Sequence, residues 1–515
     1  MSRKKGKVFL AGAGPGDPDL ITVKAMEEIS TADCIIYDFL APAELLKHAK
    51  PDAELLYVGK KGGSHTLPQK EIGKLIVGKA KEGKVVVRLK GGDPFIFGRG
   101  GEEAEELKRD RVDFEVIPGV TSGIAAATYA GIPLTHRQYA SSVSFITGHE
   151  DEEKAESTMD WDKLAMGADT LVIFMGFKKL EENIKQMINA GRSPRTPAAM
   201  IMWGTKPFQK TAVSTLARIA AEARRKGLKA PVILVVGSVV KLRNRLKWFE
   251  NKPLFGKTIV VTRSGMQASE FSKYLRKMGA NVIEFPTIDI VPPSSWMEVD
   301  RAIDDLLSYD IIIFTSINGV EFFFNRMQEK GKDSRFLGNA KVIAIGPATA
   351  EALRGRGIMA DAVPSEYRAE GILESIGRFS PQGKKILIPR AEVARGLLKE
   401  KLEECGARVD IVVVYKNVVP QEGFDCLKRK FEKNEIDMVT FTSSSTVSNF
   451  TRIVGKDFIK KHMKHVSIAS IGPITSETIR SLGMKIDTMA KKYTIPSLTD
   501  SIVRYFQKQP REKGR

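Results

Sequence analysis

Short apolar runs of strand length alternate along the whole chain with longer stretches in which apolar residues recur at helical spacing. Val8 to Leu10, Val232 to Val236 and Ile311 to Phe314 are such runs, and a Gly/Pro turn commonly separates a run from the helical stretch after it. This alternation of strands and helices predicts α/β domains with largely parallel sheets. Each apolar run is far shorter than the roughly 20 residues of a membrane-spanning helix, so we expect no membrane anchor.

The second half of the chain contains an internal repeat. GKTIVVTR, which ends at Arg263, recurs 127 residues later as GKKILIPR, which ends at Arg390. IIIFTSINGVEFF around Thr315 recurs at the same spacing as MVTFTSSSTVSNF around Thr442, and VIAIGPATAEALRGRG recurs 126 residues later as SIASIGPITSETIRSLG. The blocks keep one order and nearly one spacing. We therefore predict two copies of one α/β unit in residues 256–515, with a cleft between them.

Composition adds a strong positive charge to this picture. The chain has 515 residues, with 81 Lys and Arg against 62 Asp and Glu, which gives a net charge of +19. Such a charge fits a nucleic acid, an anionic membrane or a polyanionic small substrate. At roughly 150 residues per domain the length predicts three or four compact units. The 42% of hydrophobic residues exclude a disordered chain.

A basic segment without a strand pattern, residues 241–257, marks the main boundary. We predict a first domain over 1–245, a linker over 246–255, a second domain over 256–505 and a basic tail over 506–515. The cysteines Cys34, Cys405 and Cys426 are too few and too scattered for a disulfide framework or a thiolate metal site. Since no apolar signal core follows the basic start, we expect a reduced, cytoplasmic protein.

The first glycine-rich loop has only part of a dinucleotide-binding fingerprint. A strand VFLAG leads into the loop GAGPGD and a helical stretch, and Asp38 follows about 20 residues on, where a ribose ligand is expected. However, Asp17 replaces the third glycine and would repel a pyrophosphate, and Pro15 lacks an N–H group. Assignment of the chain as an NAD-dependent oxidoreductase would therefore depend on this loop alone. A cofactor without phosphate, and preferably cationic, fits better.

Two further loops of the first half have the composition of a ligand site. Gly91-Gly92-Asp93 follows a strand in RLKGGDPFIFGRGGEE, and Thr121-Ser122 stands at a helix start in IPGVTSGIAAATYAGIPLTH. Gly91 and Gly92 permit close backbone approach, and Asp93 is available to a ribose hydroxyl or a positive centre. Any one of these loops is more often ordinary turn chemistry. Three of them in one domain favour a ligand cleft at the carboxyl ends of the strands.

A series of motifs runs in order through the first half: VFLAGAGPGDPDLITVKA, YDFL, VGKKGG, RLKGGDPFIFGRGGEE, VIPGVTSGIAAATYAGIPLTHR, TLVIFMG and PVILVVGSVV. Over about residues 6–245 this series resembles the uroporphyrinogen-III C-methyltransferases. The resemblance implies two α/β lobes with S-adenosylmethionine between them and no metal. It also implies transfer of two methyl groups to uroporphyrinogen III, giving precorrin-2. The cofactor contacts that it implies are Pro15, Gly91, Gly92, Asp93, Ile96, Thr121, Ser122, Met175 and Gly204.

The same resemblance implies roles for two charged residues. Asp38 in YDFL matches the family's proposed general base, and Lys60 in VGKKGG matches its proposed proton donor. Methylation of a pyrrole-type carbon requires loss of a proton from the neighbouring framework, so a carboxylate near the ring is a suitable base. A lysine whose pKa falls on burial can donate a proton. Two alternatives stay open: Asp38 caps the next helix, and Lys60 only pairs with a substrate carboxylate.

Small hydroxyl residues at strand ends and helix starts recur in the second half, where no metal set or catalytic triad is evident. Hydroxyl groups and helix N-termini suit carboxylate binding, although helix capping is the simpler explanation for about half of them. The motifs VTR, FTSINGV, AIGPATAEAL, VVYKN, FTSSSTVSNF and SIGPITSETI resemble uroporphyrinogen-III synthase over about residues 256–505. The resemblance implies two flavodoxin-like lobes joined by a two-stranded connector. One lobe would hold 256–288 with 417–505, and the other 292–413.

The implied reaction closes hydroxymethylbilane to uroporphyrinogen III with inversion of the last pyrrole. Tyr415 in VVYKN matches the family's proposed acid, which helps the hydroxide leave; the alternative is an ordinary connector aromatic. Thr349 and Thr475, in the GPAT and GPIT turns, and Ser443 match substrate-binding positions. The chain is thus predicted to be a bifunctional enzyme of tetrapyrrole biosynthesis leading towards sirohaem or cobalamin.

Other readings are weaker. Assignment as a nucleic-acid-binding protein would depend on net charge alone, because the sequence has no recognition motif. The expected partners are therefore the two polycarboxylate tetrapyrroles, with no nucleic acid and no membrane. The methyltransferase family also allows a homodimer through the first half.

Overall fold

The computed structural model describes residues 6–59, 67–149, 159–263, 265–364, 378–393, 397–419 and 424–509. The chain forms two compact units. One runs up to Thr258 and also contains Leu275–Asn281 and the chain from Phe506 onward, and the other contains Ile259–Tyr274 and Val282–Tyr505. Within these described ranges, no helix is both long and apolar enough to cross a membrane.

The first lobe of the first unit is a parallel sheet with the order β3-β2-β4-β1-β5 and helices on both faces. Val8 and Leu10 of the first strand pack with one pair of helices, and Phe9 and Ala11 pack on the opposite face. Because both faces are covered, the strands are apolar throughout rather than alternating. The elements are β1 Lys7–Gly12, α1 Val23–Thr31, β2 Cys34–Tyr37, β3 Glu54–Tyr57, α2 Gln69–Lys81, β4 Val85–Lys90, α3 Gly100–Arg109 and β5 Asp113–Ile117. The helix after β5, α4 Ser122–Tyr129, packs on the second lobe.

The second lobe of this unit has a mixed sheet with the order β6-β7-β10-β8-β9. Its elements are β6 Val143–Thr147, α5 Trp161–Met166, β7 Thr170–Phe174, α6 Leu180–Asn189, β8 Pro197–Met202, β9 Lys210–Thr215, α7 Ile219–Arg225, β10 Val232–Val236 and α8 Arg243–Leu246. Only β6 and β7 pair in parallel, and the other three pairs are antiparallel. The prediction of largely parallel sheets is wrong for this lobe. The connection between β8 and β9 is too short for a parallel crossover.

The ends of the first unit differ from the predicted linker and tail. Phe249 and Leu254, in the segment predicted as a linker, are buried. Glu250 in the same segment accepts hydrogen bonds from Gln209 and Thr211 at 2.9 and 2.7 Å. The segment is therefore packed, because it carries apolar side chains between its charges. The last helix continues to Lys508 with Phe506 buried, so the predicted tail begins inside a helix.

The second unit contains most of two further five-stranded sheets, with the orders β12-β11-β18-β19-β20 and β13-β17-β16-β14-β15. Their elements are β11 Thr258–Val261, α9 Gly265–Lys277, β12 Asn281–Glu284, β13 Asp289–Val291, α10 Met297–Asp304, β14 Ile311–Phe314, α11 Ile317–Glu329, β15 Lys341–Ala344, α12 Pro347–Arg354, β16 Lys385–Ala391, α13 Leu397–Glu404, β17 Arg408–Val418, α14 Phe424–Glu432, β18 Met438–Phe441, α15 Ser444–Val454, α16 Lys456–His462, β19 Ser467–Ser470, α17 Pro473–Ser481, β20 Thr488–Met489 and α18 Ile495–Lys508.

The order of the first of these sheets is that of a flavodoxin-like sheet, 2-1-3-4-5 in its own strand sequence. We call it the outer lobe, because it combines the two ends of the segment. We call the second sheet with its helices the inner lobe; its four parallel strands follow the same order, and the antiparallel strand β13 is added at the edge next to β17. The predicted α/β class and duplicated flavodoxin-like architecture are confirmed.

The sequence repeat does not coincide with the lobes. The first copy contributes β11 to the outer lobe and β14 to the inner lobe, whereas the second contributes β16 to the inner and β18 to the outer. Ile259 pairs with Met438 in the outer lobe, and their repeat equivalents Ile386 and Ile311 pair in the inner lobe. Each lobe is therefore assembled from half of each copy.

Candidate active sites

A cavity lies between the two lobes of the first unit, at the carboxyl ends of the strands of the first lobe. The space between its walls is about 620 Å³, including a part that is open solvent. Loops after β1, β2, β4 and β5 form one wall, and the second lobe forms the other. The lining residues are Gly14, Pro15, Gly16, Leu40, Gly91, Gly92, Ser122, Ala126, Ile201, Trp203, Gly204, Lys206, Pro231, Val232 and Ile233.

Close packing requires glycine at two of the positions that line the cavity. A Cβ atom on Gly91 would lie 2.4 Å from Cβ of Leu40, and one on Gly204 would lie 2.4 Å from Cβ of Ala126. Neighbouring Gly92 has a φ of 72°, which disfavours any side chain. The backbone itself therefore forms much of the cavity surface, as the sequence predicted for the GGD loop.

Strained backbone is concentrated in the loops near this cavity. Among the described residues, eight non-glycine residues have positive φ angles, and five of them lie in two short loops and the turn after β7. These five are Phe97, Arg99, Met175, Trp203 and Thr205. Such conformations cost about 1–3 kcal/mol each and are found at ligand sites, where the surrounding structure holds them.

The structure brings five of the nine predicted cofactor contacts together. Pro15, Gly91, Gly92, Ser122 and Gly204 line the cavity. The other four do not line the cavity: Asp93, Ile96, Thr121 and Met175. Asp93 instead organises its own loop, because Oδ1 accepts hydrogen bonds from the N–H groups of Phe95 and Ile96 and Oδ2 accepts one from Gly119, at 2.8, 3.1 and 2.9 Å.

Asp17, which departs from the dinucleotide fingerprint, has a structural role here. Its side chain caps the short 3₁₀ helix Pro18–Leu20 by accepting a hydrogen bond from Asp19 N. The hydroxyl of Tyr129 donates to its other oxygen at 2.7 Å. Burial, together with this bond, raises the pKa of Tyr129, so the tyrosine remains a neutral donor. The carboxylate is thus part of the wall that holds the GPGD loop.

Asp38 lies just after β2, two residues before the cavity residue Leu40. Its Oδ1 accepts a hydrogen bond from Leu40 N at 3.1 Å, and its Oδ2 is 3.2 Å from the Arg88 guanidinium. The next helix, the 3₁₀ helix Ala43–His48, is capped at Pro42, so Asp38 is not its cap. Lys60, the predicted proton donor, lies outside the described residues.

In the second unit, the candidate acid Tyr415 lies in β17 of the inner lobe and is 7% exposed. Its hydroxyl is 3.2 Å from Oγ of Ser316, and its ring lies 5.8 Å from that of Phe322. Ser316 Oγ caps α11 by accepting a hydrogen bond from Gly319 N at 2.9 Å. The phenol is therefore held at the first turn of a helix.

The predicted substrate-binding hydroxyls occupy repeat-equivalent helix starts. Thr349 stands in the first turn of α12 in the inner lobe, and Thr475 in the first turn of α17 in the outer lobe; both are buried. Ser443 caps α15 in a capping box with Thr446. Capping explains Ser443, as the sequence anticipated for part of this set. The structure places Tyr415 and Thr349 in one lobe, and Ser443 and Thr475 in the other.

Sequence analysis missed several site residues. Trp203 and Lys206 line the cavity, and Arg88 binds the carboxylate of Asp38. The signal for Arg88 was present, since VVVRLK carries two basic residues at alternate positions of an otherwise apolar strand. In the described part of the chain, no group of three or more His, Cys, Asp and Glu side chains could hold a metal ion.

Two fused α/β enzymes are therefore defined by the fold and by these sites, and comparisons with known proteins identify both. A tetrapyrrole (corrin/porphyrin) methylase family model matches residues 7–220, and a uroporphyrinogen-III synthase HemD family model matches residues 269–500. The porphyrin biosynthesis protein HemD of Ruminiclostridium josui is 37% identical over 97% of this chain and 98% of its own length. A uroporphyrinogen-III C-methyltransferase of Bacillus subtilis is 35% identical over 85% of this chain and 86% of its own.

The chain belongs to this family, in which a tetrapyrrole methylase is fused to a uroporphyrinogen-III synthase. It is a uroporphyrinogen-III C-methyltransferase and a uroporphyrinogen-III synthase of porphyrin biosynthesis, as the sequence predicted. An S-adenosyl-L-methionine-dependent uroporphyrinogen III methyltransferase of Methanosarcina barkeri is 52% identical over 48% of this chain and 96% of its own. The solved uroporphyrin III C-methyl transferase of Thermus thermophilus is 36% identical, with a TM-score of 0.40, over 46% of this chain and 100% of its own.

Proposed function

We propose that the second unit closes hydroxymethylbilane to uroporphyrinogen III with inversion of the last ring, and that the first unit transfers two methyl groups to this product, giving precorrin-2. The observation that carries the proposal is the cavity of the first unit, which five residues predicted as cofactor contacts line from both lobes. The product of one unit is then the substrate of the other. The net charge of +19 suits two polycarboxylate substrates.

The cavity suits S-adenosylmethionine, which supplies the methyl group when bound. Its walls are glycine backbone and apolar side chains, with Ser122 as a hydroxyl partner and Lys206 as the cation. A wall of this kind does not present the row of N–H groups that a pyrophosphate needs, because Pro15 lacks one. Pro15, Gly91, Gly92, Ser122 and Gly204 would hold the cofactor. The named dependence of the 52% identical Methanosarcina barkeri relative on S-adenosyl-L-methionine supports this assignment.

In methyl transfer, Asp38 is the general base. Formation of a bond between the methyl group and a pyrrole-type carbon leaves an excess proton on the tetrapyrrole framework, and the Asp38 carboxylate accepts it. Its position two residues from Leu40 places it beside the cavity rather than inside it. Lys60 is the proposed proton donor of the same site. Asp93 supports the cofactor indirectly, by holding the loop that includes Phe95 and Ile96.

In ring closure, Tyr415 is the general acid. Its phenol donates a proton to the departing hydroxyl, so that water leaves and a stabilised azafulvene cation remains. The enzyme then has to fold the chain and select the attacking carbon, which leads through a spiro intermediate to the inverted ring. Thr349, Ser443 and Thr475 bind the substrate at helix N-termini, where N–H groups and the helix dipole favour carboxylates.

A coupled assay tests the whole proposal. The full chain is incubated with hydroxymethylbilane and S-adenosylmethionine labelled in its methyl group, and the product is identified by mass and by its ring isomer. We expect a type III product that carries two labelled methyl groups. In a parallel reaction, uroporphyrinogen III is supplied directly, so that methyl transfer is measured without ring closure.

The two reactions separate the possible failures. If only the type I ring forms from hydroxymethylbilane, the second unit is not a working synthase. If uroporphyrinogen III gains no label, the methyl-transfer assignment is wrong. Calorimetry completes the test: S-adenosylhomocysteine should bind the full chain, and NAD should not.

A further inference from the structure

A cluster of buried charges lies behind Asp38, and the proposed function does not use it. Arg88 and Lys90 in β4 and Glu103 in α3 are 3, 4 and 2% exposed. None of the three lines the cavity. Burial of a charged side chain is costly unless the charge is paired and hydrogen-bonded. Three such groups beside a proposed general base therefore call for a functional explanation.

Arg88 is at the centre of the cluster and bridges two carboxylates. Its Nε donates to Oε1 of Glu103 at 3.3 Å, while a terminal nitrogen is 3.2 Å from Oδ2 of Asp38. Its other terminal nitrogen donates to the carbonyl oxygens of Ile36 and Leu89 at 3.4 and 3.1 Å. The planar guanidinium is thus fixed on all sides, and a group with its geometry can bind both carboxylates at once.

Glu103 holds this arrangement from the side away from the cavity. Its Oε1 also accepts hydrogen bonds from Lys90 Nζ and Gln69 Nε2, at 2.9 and 3.0 Å. Its Oε2 is buried and has no hydrogen-bond partner among the described residues. Burial lowers the pKa of Lys90, and the negative charge of Glu103 opposes that effect. The cations and Glu103 therefore stabilise one another.

We propose that Arg88, held by Glu103, is a positioning residue for methyl transfer: it fixes the orientation of the Asp38 carboxylate beside the cavity. The inference rests on the proposed role of Asp38 as base. Arg88 binds Oδ2 and Leu40 N binds Oδ1, so the carboxylate has one orientation.

Several charged or titratable groups face this carboxylate from the surrounding strands. Arg88 and Lys90 do so from β4, and Tyr57 from β3, with Tyr37 beside it. Burial and the nearby charge of Asp38 raise the pKa of Tyr57, so it stays neutral over the working range. Glu103 lies behind Arg88. Arg88 is therefore the cation in direct contact with Asp38 among the described side chains.

Two substitutions of Arg88 separate its charge from its geometry. In the full chain, Arg88→Gln removes the contact with Oδ2 of Asp38, whereas Arg88→Lys keeps a cation but cannot span Asp38 and Glu103. We expect kcat for methyl transfer to fall about tenfold in both variants, with KM and S-adenosylhomocysteine affinity unchanged.

Controls distinguish this role from a structural one. Lys79→Gln removes another ion pair of the same lobe, with Glu54 at 2.8 Å, and should leave kcat and KM for methyl transfer at wild-type values. Ring closure by the same preparations shows that the second unit is intact. If Arg88→Gln does not bind S-adenosylhomocysteine because it is unfolded, Arg88→Lys decides the question.

The outcomes are distinct. A wild-type kcat in folded Arg88→Gln or in Arg88→Lys would overturn the inference. Asp38→Asn tests the underlying assignment separately: if it retains full methyl transfer, the proposed base is wrong. If Asp38→Asn abolishes methyl transfer while the Arg88 variants behave as wild type, the proposed base is retained and only the proposed role of Arg88 is wrong.

Discussion

The two units build their candidate sites from different materials. The first shapes a cavity from strained loops and glycine backbone and places a buried charge network beside it. The second has no comparable network at its candidate site, where described groups are a phenol, capping hydroxyls and helix starts. The difference follows the proposed chemistry. Methyl transfer needs precise placement and a base, whereas ring closure mainly needs help for a leaving group and control of folding.

A second contrast lies within the second unit. The lobes share repeat-equivalent hydroxyls, since Ser316 corresponds to Ser443 and Thr349 to Thr475. Tyr415 breaks this symmetry, because the residue 127 positions earlier is Ile288. Two similar lobes can bind similar substrate groups, and a single acid in one lobe can then act on the group bound there. This asymmetry fits a reaction that inverts a single ring.

The largest effect is expected from removal of Asp38, the proposed base of the first unit. Asp38→Asn keeps the shape of the side chain and the contact of Oδ1 with Leu40 N, but not the basic carboxylate. Methyl transfer to supplied uroporphyrinogen III should fall by about 10²–10⁴-fold. Ring closure, measured in the same preparation, should be unchanged. A parallel loss of both activities would show a folding defect and break the comparison between the units.

The next effect is expected from the acid of the second unit. Tyr415→Phe removes the hydroxyl beside Ser316 and should slow ring closure by about 10²-fold, while methyl transfer stays at the wild-type rate. Tyr309→Phe is the matched control, because the Tyr309 hydroxyl is also hydrogen-bonded, to Asp410 at 2.8 Å, but precedes β14 at the opposite strand end. Equal rates for Tyr415→Phe and the control would contradict the acid assignment.

A smaller effect should follow from a methyl group in the cavity wall. Gly204→Ala would place a Cβ atom 2.4 Å from Cβ of Ala126. Overpacking of this kind costs about 1–3 kcal/mol, so affinity for S-adenosylhomocysteine should fall roughly tenfold. Gly78→Ala is the control, because nothing lies within 4 Å of its added Cβ. Calorimetry measures the affinity of both variants for S-adenosylhomocysteine. Equal affinities would contradict close packing at Gly204.

The smallest effect concerns stability rather than chemistry. Two hydrogen bonds from Arg326, at 2.7 and 2.6 Å, hold the pKa of Asp300 below its ordinary value. Its contribution is therefore present above the unfolded-state pKa of about 3.9 and is lost as the pH falls through the lower folded-state pKa. Asp300→Asn should destabilise the second unit by about 1 kcal/mol at neutral pH.

Urea unfolding at neutral pH and at about pH 3 measures this difference, which should shrink in acid. Asp333→Asn, in the exposed pair with Arg335, should change stability far less. If the Asp300→Asn difference is the same at both pH values, the ion pair with Arg326 does not stabilise the fold.

Much of the fold could be predicted, because its signals are local. The apolar runs became strands, and the repeated blocks became equivalent elements such as β14 and β18. The mixed sheet of β6 to β10 was missed, since strand direction depends on connections rather than on apolar pattern. The packed segment around Phe249 was also missed, because its basic residues indicated a linker although Trp248, Phe249 and Leu254 lie among them.

The candidate sites, like the fold, could be predicted from the sequence only in part. Gly91, Gly92 and Gly204 carry a local signal and line the cavity as expected. Asp93, which stays a predicted cofactor contact, also accepts hydrogen bonds from three backbone N–H groups. Hydrogen bonds of this kind form only once the loop is closed, so composition does not reveal them. The roles of Asp38, Lys60 and Tyr415 stay predictions.

The sequence by itself determined the α/β class, the duplication, the glycine loops and the family, because these depend on short-range patterns along the chain. Only the tertiary structure decided which halves of the repeat share a sheet and that Arg88 joins Asp38 to Glu103. The physical reason is distance along the chain. Asp38 and Arg88 are 50 residues apart, and their contact exists because β2 and β4 become neighbours in the folded sheet.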